Sequence, residues 1–114
     1  MKKIFLLVVF LLISLIVKSQ VIPSEGLIIA EFNAPFSGTQ CEYLDELTDC
    51  DLAKIDISTQ PKLQAKHKIV VVPTIIVFYD GEEVARFQAN IMMKLEATQE
   101  EVQDKIDETI MSDF

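Results

Sequence analysis

Ser37 and Cys41 carry the hydroxyl and the thiol that a nucleophilic mechanism would use, and both lie in one stretch, EFNAPFSGTQCEY, at residues 31–43. A cysteine at a helix start is a candidate thiolate, because the helix N-terminus favours the anion. Here Glu42, Asp45 and Glu46 follow Cys41, and neighbouring carboxylates raise a thiol pKa rather than lower it. Ser37 would need a base, and His67 is the one histidine of the chain. The order of elements puts His67 at the end of a helix packed away from that turn, which argues against a hydrolytic pair. Ser37 also suits the cap of a short helix. Cys50 is the second cysteine. Two helical turns between Cys41 and Cys50 would hold them roughly 10 Å or more apart, whereas a disulfide needs Cα atoms within about 7 Å. Pairing therefore requires a distorted helix, and the alternative for each is a small buried apolar residue. Two Cys and one His without ligand-like spacing argue against a metal site.

The elements that must hold these residues follow from apolar patterning. Residues 21–26 contain Pro23 and Gly26 and read as an irregular lead-in. LIIAEF, at 27–32, is the apolar run of a strand covered on both faces. Residues 40–47 fit two turns of helix, with Tyr43, Leu44 and Leu47 on one side. Residues 52–57 alternate as a second strand, and Ser58 or Thr59 can cap a helix with Pro61 in its first turn, ending near His67. A strongly β-branched strand spans 74–79, and Asp80-Gly81 signals a hairpin. From Ala85 the odd positions through Leu95 are apolar and the even ones polar except Met92, which predicts one long strand. Thr98 and Glu101 form a capping box ahead of a helix striped by Val102, Ile106 and Ile110. The sum is an α/β chain, β-α-β-α-β-β-α, with a mixed sheet of about four strands and helices on both faces.

The N-terminus reads as a signal peptide: a basic start at Lys2 and Lys3, an apolar core at 4–17, and cleavage after Ser19. The alternative is an uncleaved anchor, although the run is short for a span. The domain division is then residues 1–19 and 20–114, and the chain is expected in the periplasm or secreted. No cysteine lies near the boundary, which argues against a lipid-anchored form. Cleavage removes Lys2, Lys3 and Lys18 and no acid, moving the formal charge from −8 to −11. A domain so acidic repels nucleic acid and anionic lipid, so neither is expected as a partner.

This order, with the residues at its corners, resembles the thioredoxin family over residues 27–111. EFNAPFSG is similar to the family's strand end and active-site approach, AKIDI with Pro61 to its next strand and helix start, and VVVPTIIVFYDGEEVARF to its Val-Pro-Thr and hairpin segment. The resemblance implies a thioredoxin-like three-layer sandwich with a shortened second helix. Phe36 falls on the family's Trp, Ser37 on its nucleophilic cysteine, Gly38 and Thr39 on its Gly and Pro, and Gln40 on its second cysteine. Cys41 stands one place beyond, so the paired-cysteine motif is lost and the active site is degenerate. An insertion of one residue would let Cys41 fill the second cysteine's role, and no alignment makes it the first. Glu31 matches the family's buried acid and Lys54 the lysine near it; an ordinary cross-strand ion pair or a solvated strand end is the alternative. Pro73, between Val72 and Thr74, matches the cis-proline beside which the family exposes backbone for substrate. The family's longer helix and its N-terminal strand and helix have no counterpart here, and its late glycine is Ala89.

Two functions follow from the resemblance. One is a non-catalytic module that binds a peptide or protein around Phe36, Ser37, Gly38, Val72, Pro73 and Thr74, since a serine hydroxyl has no thiol exchange chemistry. The other is a weak thiol–disulfide oxidoreductase acting through Cys41 alone, with Glu31 and Lys54 as its vestigial acid and partner. Neither implies a cofactor. The long strand adds an edge where a partner or a second copy would pair, with Met92 and Met93 as adaptable contacts.

Overall fold

Leu27–Asn33 forms β1, and its run of apolar residues reflects burial on both faces. Ile28, Ala30 and Phe32 point to one side of the sheet; Leu27 and Ile29 point to the other, with Glu31 continuing their alternation. The structure is a computed structural model that describes residues 22–112; the expected signal peptide lies outside the described residues.

Four strands follow the order β2-β1-β3-β4. β2 (Asp51–Asp56) runs parallel to β1, with Glu31 opposite Lys54. β3 (Thr74–Tyr79) runs antiparallel to β1, with Glu31 opposite Ile75. β4 (Glu82–Gln88) closes the hairpin at Asp80-Gly81, where both φ angles are positive, at 49° and 86°. Asp80 locks that turn to the lead-in, accepting the Gly26 N–H on Oδ1 at 2.8 Å and donating its own N–H to Gly26 O at 2.9 Å. The register slips between Val77 and Phe78, leaving Val84 as an extra residue on the outer strand. Such a bulge twists an edge and interrupts its template for pairing.

One layer over this sheet is α1 (Pro61–Lys66), whose Leu63 packs on the cluster of Ile28, Phe32, Ile55, Ile76 and Phe78. The opposite layer is α2 (Gln99–Ser112), which presses fully buried Val102 and Ile106 against Ile29, Ile75 and Val77. Burying each such aliphatic side chain contributes about 1.5–3 kcal/mol, which makes these two stripes the adhesive of the sandwich. Thr98 caps α2 as its sequence implies, with Oγ1 accepting the Glu101 N–H at 3.2 Å.

Three local expectations are corrected. Residues 40–47 contain no α-helix. The chain instead makes two 3-10 turns, Pro35–Ser37 and Leu44–Glu46. The buried residues of this segment are Cys41, Leu44 and Leu47, spaced by threes, which is the 3-10 period and not the α period. Ser58 and Thr59 do not cap α1: both bond back to Asp56, and Gln60 precedes the helix without a side-chain cap. The long strand stops at Gln88, after which Ala89 and Leu95 form a single antiparallel bridge. Asn90 breaks it, since Oδ1 accepts the N–H groups of Met92 and Lys94 at 2.9 and 3.2 Å and folds the chain into a loop. Ile91 and Met93 therefore do not line a buried face; they are 95% and 37% exposed.

Candidate functional site

β1 ends on Glu31, Phe32 and Asn33, and the loop that follows is built on the last of these. Asn33 Oδ1 accepts the Ala34 N–H at 2.8 Å, and Nδ2 donates to Thr39 O at 2.6 Å. The Ser37 hydroxyl lies 2.7 Å from Asn33 Oδ1 and 3.0 Å from Thr39 O, and it accepts the Thr39 N–H at 3.3 Å. Ser37 thus ties a turn together from inside and caps no α-helix. Gly38 closes the turn at φ 67°, the left-handed region that glycine enters without steric cost. Phe36 projects from the same turn and is 69% exposed.

Glu31 is 5% exposed. Its Oε2 accepts the backbone N–H of Cys41 at 2.5 Å, an amide that an α-helix start would have aimed elsewhere. Burial raises the Glu31 carboxyl above the usual carboxylate range; the Cys41 N–H and the Lys54 charge pull it back in part, and Asp45 adds to the rise. Lys54 lies opposite Glu31 in the register but does not pair with it. Its Nζ reaches Asp45 Oδ2 at 3.9 Å from a side chain that is 60% exposed. Lys54 thus stands beside the buried acid as a neighbouring charge and not as a direct ion pair.

Cys41 is buried and Cys50 half-buried, and both are free thiols packed in the cluster under α2. Burial raises the Cys41 thiol pKa; the N–H groups of Tyr43 and Leu44 and the Tyr43 hydroxyl oppose this, while the Glu31 charge reinforces it. The Tyr43 hydroxyl, which donates to Ala97 O at 2.5 Å, is likewise pushed up by its burial and by Cys41. Burial also raises Cys50, with Asp51 and Asp49 adding to it. His67 is no base for Ser37. Its ring packs against Phe32 and Phe78, with centroids 5.5 and 5.1 Å away, and burial lowers its pKa.

The Val72-Pro73 bond is cis, as the resemblance implies. The three side chains expected to line a groove there are buried, Val72 at 5% and Thr74 at 0%, with Pro73 enclosed as well. Pro73 O accepts the Ala89 N–H at 3.0 Å, and Thr39 Oγ1 donates to Met93 O at 2.6 Å. These bonds join three segments, around 33–41, 72–74 and 89–95, into one end of the sheet. The exposed large apolar residues of these segments are Phe36, Ile91, Met92 and Met93. The sequence does not single out Asn33 and Asn90, and it gives no sign of the bonds that Thr39 and Tyr43 make. An Asn at a strand end before a Pro-Ser-Gly-Thr turn does signal Asx chemistry, whereas no local signal joins Thr39 to Met93, 54 residues away. Among the described residues no group of three His, Cys, Asp or Glu side chains is placed to hold a metal ion.

The Thioredoxin family model matches residues 16–108. A thioredoxin of Chlamydia trachomatis is 31% identical over 71 residues, which is 55% of this chain and 69% of that protein. A thioredoxin of Mycobacterium bovis is 38% identical over 42 residues, covering 37% of this chain and 36% of its own length. Among solved structures, a mutant thioredoxin of Halobacterium salinarum superposes with a TM-score of 0.56 at 26% identity, covering 74% of each chain. With the sandwich, the cis-proline and the buried acid at the strand end all in place, and the family model spanning most of its length, the chain belongs to the thioredoxin family.

Proposed function

We propose that this is an exported, non-catalytic member of the family that binds a peptide or protein. The observation that carries the reading is Ser37. It stands where the family's nucleophilic cysteine would, and its hydroxyl is engaged with Asn33 and Thr39. Thiol exchange needs a thiolate with access to its target, and Cys41 is 8% exposed with its pKa raised by burial. The binding surface is the end of the sheet that carries Phe36, Ile91 and Met92, exposed at 69%, 95% and 69%. The buried Val72, Pro73 and Thr74 support it from below. β4 is an outer strand, but the bulge at Val84 interrupts its edge, so strand addition there is not part of this reading.

A second reading, a thiol–disulfide oxidoreductase working through Cys41, is favoured by the family and by one contact: Glu31 lies against the Cys41 backbone, where a carboxylate can take a proton. Insulin disulfide reduction with dithiothreitol as reductant separates the two. The expected result is no rate above the dithiothreitol background for the protein or for Cys41→Ser. Turnover that disappears in Cys41→Ser would overturn the binding reading and make Cys41 catalytic.

A further inference from the structure

A cleft of about 650 Å³ lies between the loop after β1 and the outer strand β2. At its base lies Glu31, more than nine-tenths buried. Oε2 accepts the Cys41 N–H, and Oε1 accepts no hydrogen bond from the described residues. No enclosed side-chain oxygen or nitrogen among the described residues lacks a partner, so Oε1 opens on the cleft. Glu42 and Asp56 add carboxylates to its walls, against the single cation Lys54. Lys54 is drawn outward toward Asp45. Ala34, Pro35 and Ile55 supply apolar wall beside these charges.

We propose that this cleft takes the arginine or lysine side chain of a basic peptide segment, with the guanidinium or ammonium group donating to Glu31 Oε1. The chemistry selects that class. A carboxylate oxygen that opens on the cleft with no donor from the protein is satisfied best by a charged donor, and anions are repelled by the surrounding carboxylates. A hydrocarbon stem lies along apolar wall while its charged head reaches a polar site, as long basic side chains do elsewhere. The volume falls in the range of about 300–1,000 Å³ typical of small-ligand sites. The formal charge of the chain, −8, favours the approach of a basic partner. The inference deepens the binding reading above and rests on it for the source of the cation. Its site, over Glu31 and β2, borders the apolar surface through the loop that carries Phe36, since Pro35, Gly38 and Thr39 line the cleft.

The test is a titration of the ¹⁵N-labelled protein, followed by NMR, with Ac-Ala-Ala-Arg-Ala-Ala-NH₂, its Gln twin and N-acetyl-arginine amide. The expected result is movement of the Glu31, Gly38, Thr39 and Gln40 amides by the arginine peptide, with the Gln twin bound at least about tenfold more weakly. N-acetyl-arginine amide moves the same amides if the side chain alone is recognised; movement with the peptide only assigns the site to a peptide segment. Glu31→Gln, which keeps the shape and an acceptor for Cys41, weakens the arginine peptide by about tenfold at low salt. Lys54→Gln, at an exposed position, tightens it several-fold by removing the competing cation. Equal affinity for the Arg and Gln peptides would sink the cation inference while leaving the binding reading intact. No movement at these amides, or affinity unchanged in both variants, overturns the inference. Insulin turnover through Cys41 is the separate result that would remove the binding reading.

Discussion

Residues 34–50 carry the chain from β1 to β2, and residues 57–73, a connection of the same length, carry it from β2 to β3. The second contains α1, sets Leu63 into an apolar cluster and places His67 against Phe32 and Phe78. It ends in a Schellman stop, with the Ile69 N–H on Gln64 O at 3.0 Å and the Lys68 N–H on Ala65 O at 3.3 Å. The first has no α-helix and is held by side chains reaching backbone. Glu31 takes the Cys41 amide, Asn33 takes Thr39 and Ala34, Tyr43 reaches Ala97, and Gln103 of α2 brackets Thr48 through N–H and C=O. Both set apolar residues into a core cluster, the first through Cys41, Leu44 and Leu47 and the second through Leu63 and Ile69, but residues 34–41 of the first are held by side-chain hydrogen bonds and not by a helix. Packing closes its side of the sheet, whereas the polar scaffold leaves a cleft with a carboxylate at its base.

If that contrast is right, the two connections should fail differently. Phe78→Ala empties a site that is 2% exposed beneath α1 and is expected to cost about 3–5 kcal/mol in urea unfolding. Amide shifts at residues 34–41 should stay in place, and their movement would mean that the two sides are not independent. Asn33→Ala removes the bonds to Ala34, Ser37 and Thr39 together and is expected to cost about 1–3 kcal/mol. Its mark is faster hydrogen exchange at residues 34–41 with α1 unaffected; unchanged exchange there would show the loop to be held by something other than Asn33. The smallest effects come from the left-handed residue in each connection. Lys68, at φ 52°, pays the Cβ penalty of that region, and Lys68→Gly is expected to gain up to about 1 kcal/mol. Gly38, at φ 67° with open space where a Cβ would stand, should lose about 1 kcal/mol as Gly38→Ala, from backbone alone. Thermal unfolding that puts both changes on the same side of wild type would contradict this account.

Much of the sheet was legible in residue order. The LIIAEF run, the β-branched strand after Pro73 and the Asp80-Gly81 turn mark β1, β3 and the hairpin, and Thr98 with Val102 and Ile106 marks α2. In these places local preference and burial agree, and pattern suffices. The candidate site was less legible. Residues 40–47 carry enough helix formers for two turns, yet Cys41, Leu44 and Leu47 are anchored under α2 at a spacing that selects 3-10 turns. The alternation from Ala85 to Leu95 looked like one strand because apolar pattern does not register that an Asn side chain can capture two amides and turn the chain at Asn90.

What the sequence determined by itself is the chemistry on offer: a serine and a thiol in the loop after the first strand, an acid at the strand end, a strong negative charge, and the order of most strands and helices. These depend on residue identity and on neighbours a few positions away. What only the tertiary structure decided is which of those groups meet. Glu31 bonds to an amide ten residues on, Lys54 reaches Asp45 in the preceding 3-10 turn, and a cleft opens between the loop after β1 and β2. The physical reason is that a buried carboxyl or amide must find a partner wherever the fold brings one within hydrogen-bond reach, and that reach is set by packing across the sheet, not by distance along the chain.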